Sequence, residues 1–169
     1  MKHKIAQLER VALVCKEALK SKQRIFVALS GLPGSGKSTL GKYIRKNGLK
    51  YTGGGAKFSP YEIAVIDDNV MSLNLFIIRP KIKSIPKNTG QRDNLKPFLR
   101  FLPPYVKIIF CLGTSIQRLD QADVFLYIET KEEIRKSRLL RREKDRNNAL
   151  NLYTASSVAI LPYQYKIIK

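Results

Sequence analysis

The sequence predicts an α/β fold, with a mainly parallel sheet held between helices in a three-layer α/β/α arrangement. Three observations carry this prediction. Short apolar runs rich in β-branched residues recur along the chain, and stretches with apolar residues at helical spacing alternate with them. The first apolar run also ends at a glycine-rich turn that leads straight into helix-forming residues. At 169 residues the chain can bury one sizeable core, and no repeat or linker divides it, so residues 1–169 read as a single domain.

Residues 1–22 hold the first helix, where Ile5, Leu8, Val11, Cys15 and Ala18 recur at helical spacing and Lys4, Arg10, Lys16 and Lys20 stand mostly opposite. Residues 24–30 form the first strand. Helix formers dominate residues 37–46 until Asn47-Gly48 ends the pattern, and residues 51–60, with three consecutive glycines, read as a loop. Residues 62–67 are a buried-type strand and residues 73–78 a third, closed by Pro80. Residues 81–92 are rich in proline, glycine, asparagine and lysine, the composition of an exposed loop. Residues 93–102 suit a short helix, since Pro97 falls in its first turn. Two further strands occupy residues 105–112 and 123–128, and residues 131–146 make a strongly charged helix.

Composition narrows the function classes. Hydrophobic residues at 44% and charged residues at 27% exclude wholesale disorder. Cys15 and Cys111 lie in apolar runs without metal-ligand spacing, so they read as buried thiols of a reducing compartment. No apolar run approaches the roughly 20 residues that span a bilayer, and the amino terminus has no signal-like segment, so a cytoplasmic protein without a membrane partner is expected. The net charge of +19 suits a polyanionic partner, nucleic acid among them, or phosphorylated ligands. Its distribution is uneven: residues 1–50 carry 12 basic and 2 acidic side chains, and residues 79–107 carry 8 and 1.

The most specific signal is Gly31-Leu-Pro-Gly34-Ser35-Gly36-Lys37-Ser38, a complete GxxxxGK[ST] pattern between a predicted strand and a predicted helix. Glycines let such a loop wrap its N–H groups around a phosphate, and the following helix presents its positive dipole end to the same anion. Lys37 is expected at the β- and γ-phosphates of ATP, Ser38 on Mg²⁺, and Thr39 near the α-phosphate. This is the phosphate-binding loop, or P-loop, and it predicts a P-loop NTPase fold.

Asp67 and Asp68 end a strand whose carboxyl edge would face the phosphates. Such a carboxylate either holds Mg²⁺ or accepts the proton of an attacking hydroxyl; the plainer alternative is that the pair ends a strand and caps a turn. In the helix 131–146, Arg135, Arg138 and Arg142 share one face at i, i+3 and i+7. Three roles are open to that row: neutralising a transferred phosphoryl group, contacting nucleic acid, or solvating the helix.

With these residues in hand, the chain resembles the uridine kinase-like branch of P-loop kinases, which includes phosphoribulokinase and pantothenate kinase. The resemblance spans most of residues 24–146. Val65-Ile66-Asp67-Asp68-Asn69 is similar to the family's strand that ends in its catalytic aspartate, which implies Asp67 as the base, with Asp68 close second and Asn69 at the usual aromatic position. The run ending in Leu112-Gly113 resembles a strand that ends in Glu-Gly in the family, with leucine at the glutamate position. Arg135, Arg138 and Arg142 match the family's lid pattern, which implies that Arg138 and Arg142 close over ATP from a lid-like helix. The zeta-toxin-like kinases share the P-loop and the strand-end aspartate.

The expectation is therefore ATP- and Mg²⁺-dependent phosphoryl transfer to the hydroxyl of a small molecule such as a nucleoside. Lys37, Asp67, Arg138 and Arg142 are the expected catalytic residues, and Gly31, Gly34, Ser35, Gly36, Lys37, Ser38 and Thr39 the nucleotide ligands. Ser38, Asp67 and Asp68 are the expected metal ligands. The alternatives are a nucleic-acid-associated NTPase or polynucleotide kinase, and a degenerate kinase that binds nucleotide without turning it over.

Overall fold

The computed structural model describes residues 2–51, 56–75, 78–83, 95, 99–113, 116, 119, 121–154 and 166–168. Strands β1 (Ile25–Ser30), β4 (Ile63–Asp67), β5 (Val70–Ser72), β6 (Lys81–Lys83), β7 (Ile108–Leu112), β8 (Val124–Tyr127) and β9 (Lys166–Ile168) form one sheet in the order β6-β5-β4-β7-β1-β8-β9. The five strands β4, β7, β1, β8 and β9 run parallel, and β5 and β6 extend the edge antiparallel. Strand β1 lies between β7 and β8, with the chain running to one side of it through β4 and β7 and to the other through β8. A crevice at the carboxyl end of β1 therefore lies at a topological switch point.

The inner strands are apolar on both faces because both faces are covered. On one side Val27, Leu29, Ile63, Val65, Ile108, Phe110 and Leu112 pack under helix α1 (Lys2–Ala18) and helix α2 (Lys37–Asn47). Val11, Ala12, Cys15 and Ile44 supply the helix side of that core. On the opposite face Ala28, Ala64, Ile66, Ile109, Cys111 and Phe125 meet Leu95, Leu102, Val106, Ile116 and Leu119. Each fully buried aliphatic side chain contributes roughly 1.5–3 kcal/mol, so these two cores dominate the stability. Leu112 lies against Gly41 of α2 and closes the gap between helix and sheet.

Several boundaries differ from the pattern in the sequence. The strand expected at 73–78 begins instead at Val70, because Asp68 and Asn69 form a two-residue turn that pairs Asp67 with Val70; Leu75 and Ile78 keep only an isolated bridge. The expected loop 51–60 contains the ends of a hairpin, β2 (Leu49–Tyr51) with β3 (Ala56–Phe58), whose Leu49–Phe58 pair is buried in the α1 core. The exposed stretch 81–92 opens with edge strand β6. Its remainder, and half of the helix expected at 93–102, lie outside the described residues, although the Leu99 amide donates to the Leu95 carbonyl at 3.1 Å. The single helix expected over 131–146 is two: α3 (Glu132–Arg142) and α4 (Arg146–Thr154), with a break at Glu143. Finally, β9 adds a parallel edge strand beside β8 from the carboxyl-terminal segment.

Candidate functional site

The loop 31–38 leaves the carboxyl end of β1 and enters α2. Gly34, at φ 80°, is required on two counts: its backbone is left-handed, and a Cβ there would lie 2.9 Å from the Arg135 carbonyl oxygen. The α2 N-cap is Gly36, so no side chain accepts from the first amides of the helix, and no acidic residue occupies its first turn. Ser38 and Thr39 are exposed on that turn. Lys37 folds back over the loop, where its Nζ donates to the Gly31 carbonyl and, at 3.1 Å, to that of Leu32. Ser35 is buried, and its Oγ has no hydrogen-bond partner among the described residues. A helix start without a side-chain cap, a half-buried ammonium held by two loop carbonyls and an orphaned hydroxyl lie together here, a grouping of donors that suits an anion.

Helix α3 covers one side of the loop. Arg138 Nη1 donates to the Gly34 and Ser35 carbonyls at 3.3 and 3.4 Å, and the Thr130 hydroxyl donates to the Ser35 carbonyl at 3.2 Å. The arginine row divides by role. Arg135 is buried, donates to the Pro33 carbonyl at 3.0 Å and the Tyr153 carbonyl at 3.2 Å, and stacks over the Tyr153 ring. It therefore ties the loop to α3 and α4 rather than facing a ligand. Arg142 is exposed and paired with Glu143 at 2.7 Å, yet its charge is felt at Lys37. Of the three, Arg135 and Arg138 both bond to loop carbonyls, and Arg138 is the one of these two that is exposed. Thr130, which sequence reasoning missed, has no motif of its own.

The carboxylates arrive from β4. Register sets Asp67 opposite Leu112 of β7, and Leu112 in turn opposite Leu29 near the end of β1, so the three strands present their carboxyl ends together. Asp68 adopts φ 52°, and its amide donates to the Leu112 carbonyl at 3.3 Å. Gly113, at φ 60°, is needed here: a Cβ would strike Asp68 Oδ1, and Asp67 Oδ1 lies 3.8 Å from the same point. Both carboxylates thus converge beside Gly113. Burial pulls the Lys37 ammonium below the ordinary lysine range, and Asp67 and then Asp68 push it back up. Both aspartates therefore act electrostatically on the loop lysine.

Leu112 is the register partner of Asp67, but its side chain adds no polar group to this cluster. Its side chain is fully buried against Gly41, within the α2 core, so this position supplies packing and no ligand. Among the described residues no three His, Cys, Asp or Glu side chains form a cage. Two carboxylates and a helix-start hydroxyl are nonetheless oxygen donors of the kind that suits Mg²⁺, which takes one or two protein carboxylates and completes its shell with other oxygens.

A groove of about 600 Å³ lies elsewhere, between the end of α1, Phe58 and Lys107, near the amino-terminal ends of the strands. Three of its lysines are paired: Lys20 with Glu17, Lys22 with Asp123, Lys107 with Glu62. Its lining contains no carboxylate, and the Ser21 hydroxyl on it donates to the Ala18 carbonyl at 3.5 Å. The chain matches no protein-family model, no curated protein and no solved structure.

Proposed function

We propose that the chain is a P-loop kinase of the P-loop NTPase fold, which binds ATP with Mg²⁺ at loop 31–38 and transfers the γ-phosphoryl group to an acceptor hydroxyl. The observation that supports this reading is the convergence of Lys37 with Asp67 and Asp68 at the carboxyl edge of a parallel sheet, beside a helix whose first amides are uncapped.

In this reading the loop amides and Lys37 hold the phosphates, and Ser38, with Asp67 or Asp68, holds Mg²⁺. Held by those residues, Mg²⁺ would supply neutralisation of the phosphate charge. Asp67 accepts the proton of the acceptor hydroxyl, whose oxygen bonds to the γ-phosphorus as the bond from that phosphorus to the bridging oxygen breaks. Arg138 and Arg142, one on the loop and one within reach of Lys37's field, neutralise charge on the transferring group. Holding the two reactants in line is the larger part of such catalysis.

The test is transfer of labelled γ-phosphate with two variants. Lys37→Ala is expected to weaken nucleotide binding by about 10- to 100-fold, the loss of one strong charge-assisted contact. Asp67→Asn is expected to keep nucleotide affinity and lower kcat by roughly 10²–10⁴. Unchanged binding in the first and unchanged turnover in the second would remove the basis of the proposal.

A further inference from the structure

A second set of charges shares the face of the sheet that carries the candidate site. Residues paired across adjacent strands point their side chains to the same face, so the register maps which groups stand together. Leu112 pairs with Asp67, Asp67 with Val70, and Val70 with Lys83, giving one row across four strands. Leu112 packs on Gly41, which identifies the face as that of α2. A second row, Val65, Ser72 and Lys81, lies two residues along on the same face. Ile82, between the lysines, turns to the other side and packs in the second core.

Lys81 and Lys83 are exposed, and among the described residues neither makes an ion pair. Lys83 is two strand spacings from Asp67, about 10 Å between backbones, well within the combined reach of a lysine side chain and a sugar-sized ligand. In sequence, residues 79–107 carry 8 basic and 1 acidic side chains.

We propose that Lys81 and Lys83 form a shelf for a phosphate already present on the acceptor, so that the phosphoryl group passes to a hydroxyl of a phosphorylated compound. This rests on the kinase reading above. The acceptor hydroxyl gives its proton to Asp67 and its oxygen takes the γ-phosphoryl group; nucleoside diphosphate leaves, and the resident phosphate stays on the two lysines throughout. Their charge offsets the repulsion between that phosphate and the incoming triphosphate. The phosphate can belong to a small sugar or nucleoside phosphate or to the backbone of a polynucleotide, and the test separates these sources.

The full chain is assayed with γ-labelled ATP and Mg²⁺ against paired acceptors: ribose and ribose 5-phosphate, adenosine and adenosine 3′-monophosphate, thymidine and a 5′-hydroxyl oligothymidylate. Nucleotide binding is measured separately by displacement of a fluorescent ATP analogue. The expected result is a kcat/KM about 100-fold or more higher for a phosphate-bearing member than for its partner, with the pair that responds naming the source. The double variant Lys81→Gln, Lys83→Gln is expected to raise that KM about tenfold or more, with kcat and nucleotide affinity unchanged, and Arg at both positions to restore it. Lysines on an edge strand also guard against aggregation, and that role alone predicts no change in KM. An unmoved KM, equal use of paired acceptors, or nucleotide binding without transfer to any phosphate-bearing acceptor overturns the proposal while leaving the nucleotide site standing. Absence of nucleotide binding overturns the kinase reading and this inference with it.

Discussion

Leu112→Glu puts a carboxyl group where the uridine kinase-like pattern has one, and the structure sets what it should do. Leu112 is fully buried, and its Cδ2 lies 2.7 Å from where a Cβ on Gly41 would sit, with Val65 alongside. Removing that side chain from the core forfeits about 2 kcal/mol of apolar burial. A carboxyl group in the same place has no partner, so folding holds it neutral. From an ordinary glutamate value of about 4.3, neutrality at pH 7 costs about 4 kcal/mol more.

The variant is therefore expected to lose about 6 kcal/mol at pH 7 and about 3 kcal/mol at pH 5. The sign follows from linkage: a carboxyl whose folded pKa is raised destabilises the fold as pH rises above the unfolded value and recovers as pH falls towards it. Urea unfolding of variant and parent at both pH values measures the difference, and heating should show a lowering of Tm of roughly 12–24 °C at pH 7. A deficit below about 1 kcal/mol at pH 7, or one that does not shrink at pH 5, would refute the placement of this side chain in the core. So would a gain in phosphoryl transfer.

Two further outcomes are expected. Gly113→Ala forces a left-handed backbone to carry a Cβ that collides with Asp68, so stability should fall by about 1–2 kcal/mol; kcat should drop while nucleotide affinity is retained, as read by unfolding, turnover and nucleotide titration. Arg135→Met removes the bonds to the Pro33 and Tyr153 carbonyls, with an expected loss of about 2–4 kcal/mol in urea unfolding and faster amide exchange in α4; a loss below about 1 kcal/mol would show that the clamp is dispensable.

The loop 31–38 and its flanks were legible from the sequence because their determinants are local. A β-rich run, glycines that permit left-handed backbone and a helix-forming stretch lie within about two dozen residues, and each acts on its near neighbours. The helix of residues 131–146 was legible for the same reason, but its break at Glu143 was not, since α4 is held by Arg135 reaching Tyr153, an interaction outside any periodic pattern. The three-residue strands β2, β3, β5 and β6 are too short for alternation to register and exist through pairing with neighbours.

By itself, then, the sequence determined the α/β class, the glycine-rich loop between β1 and α2, and the strand that ends in Asp67. Tertiary structure decided which distant groups share the loop's crevice. The charges of Asp67 and Asp68 act on Lys37 because β4, β7 and β1 pair in register, Arg135 and Arg138 both bond to loop carbonyls while Arg135 also clamps α4, and Leu112 turns into the core. The physical reason is that backbone propensity acts over a turn or two of chain, whereas strand register and burial are set by contacts between segments far apart in sequence.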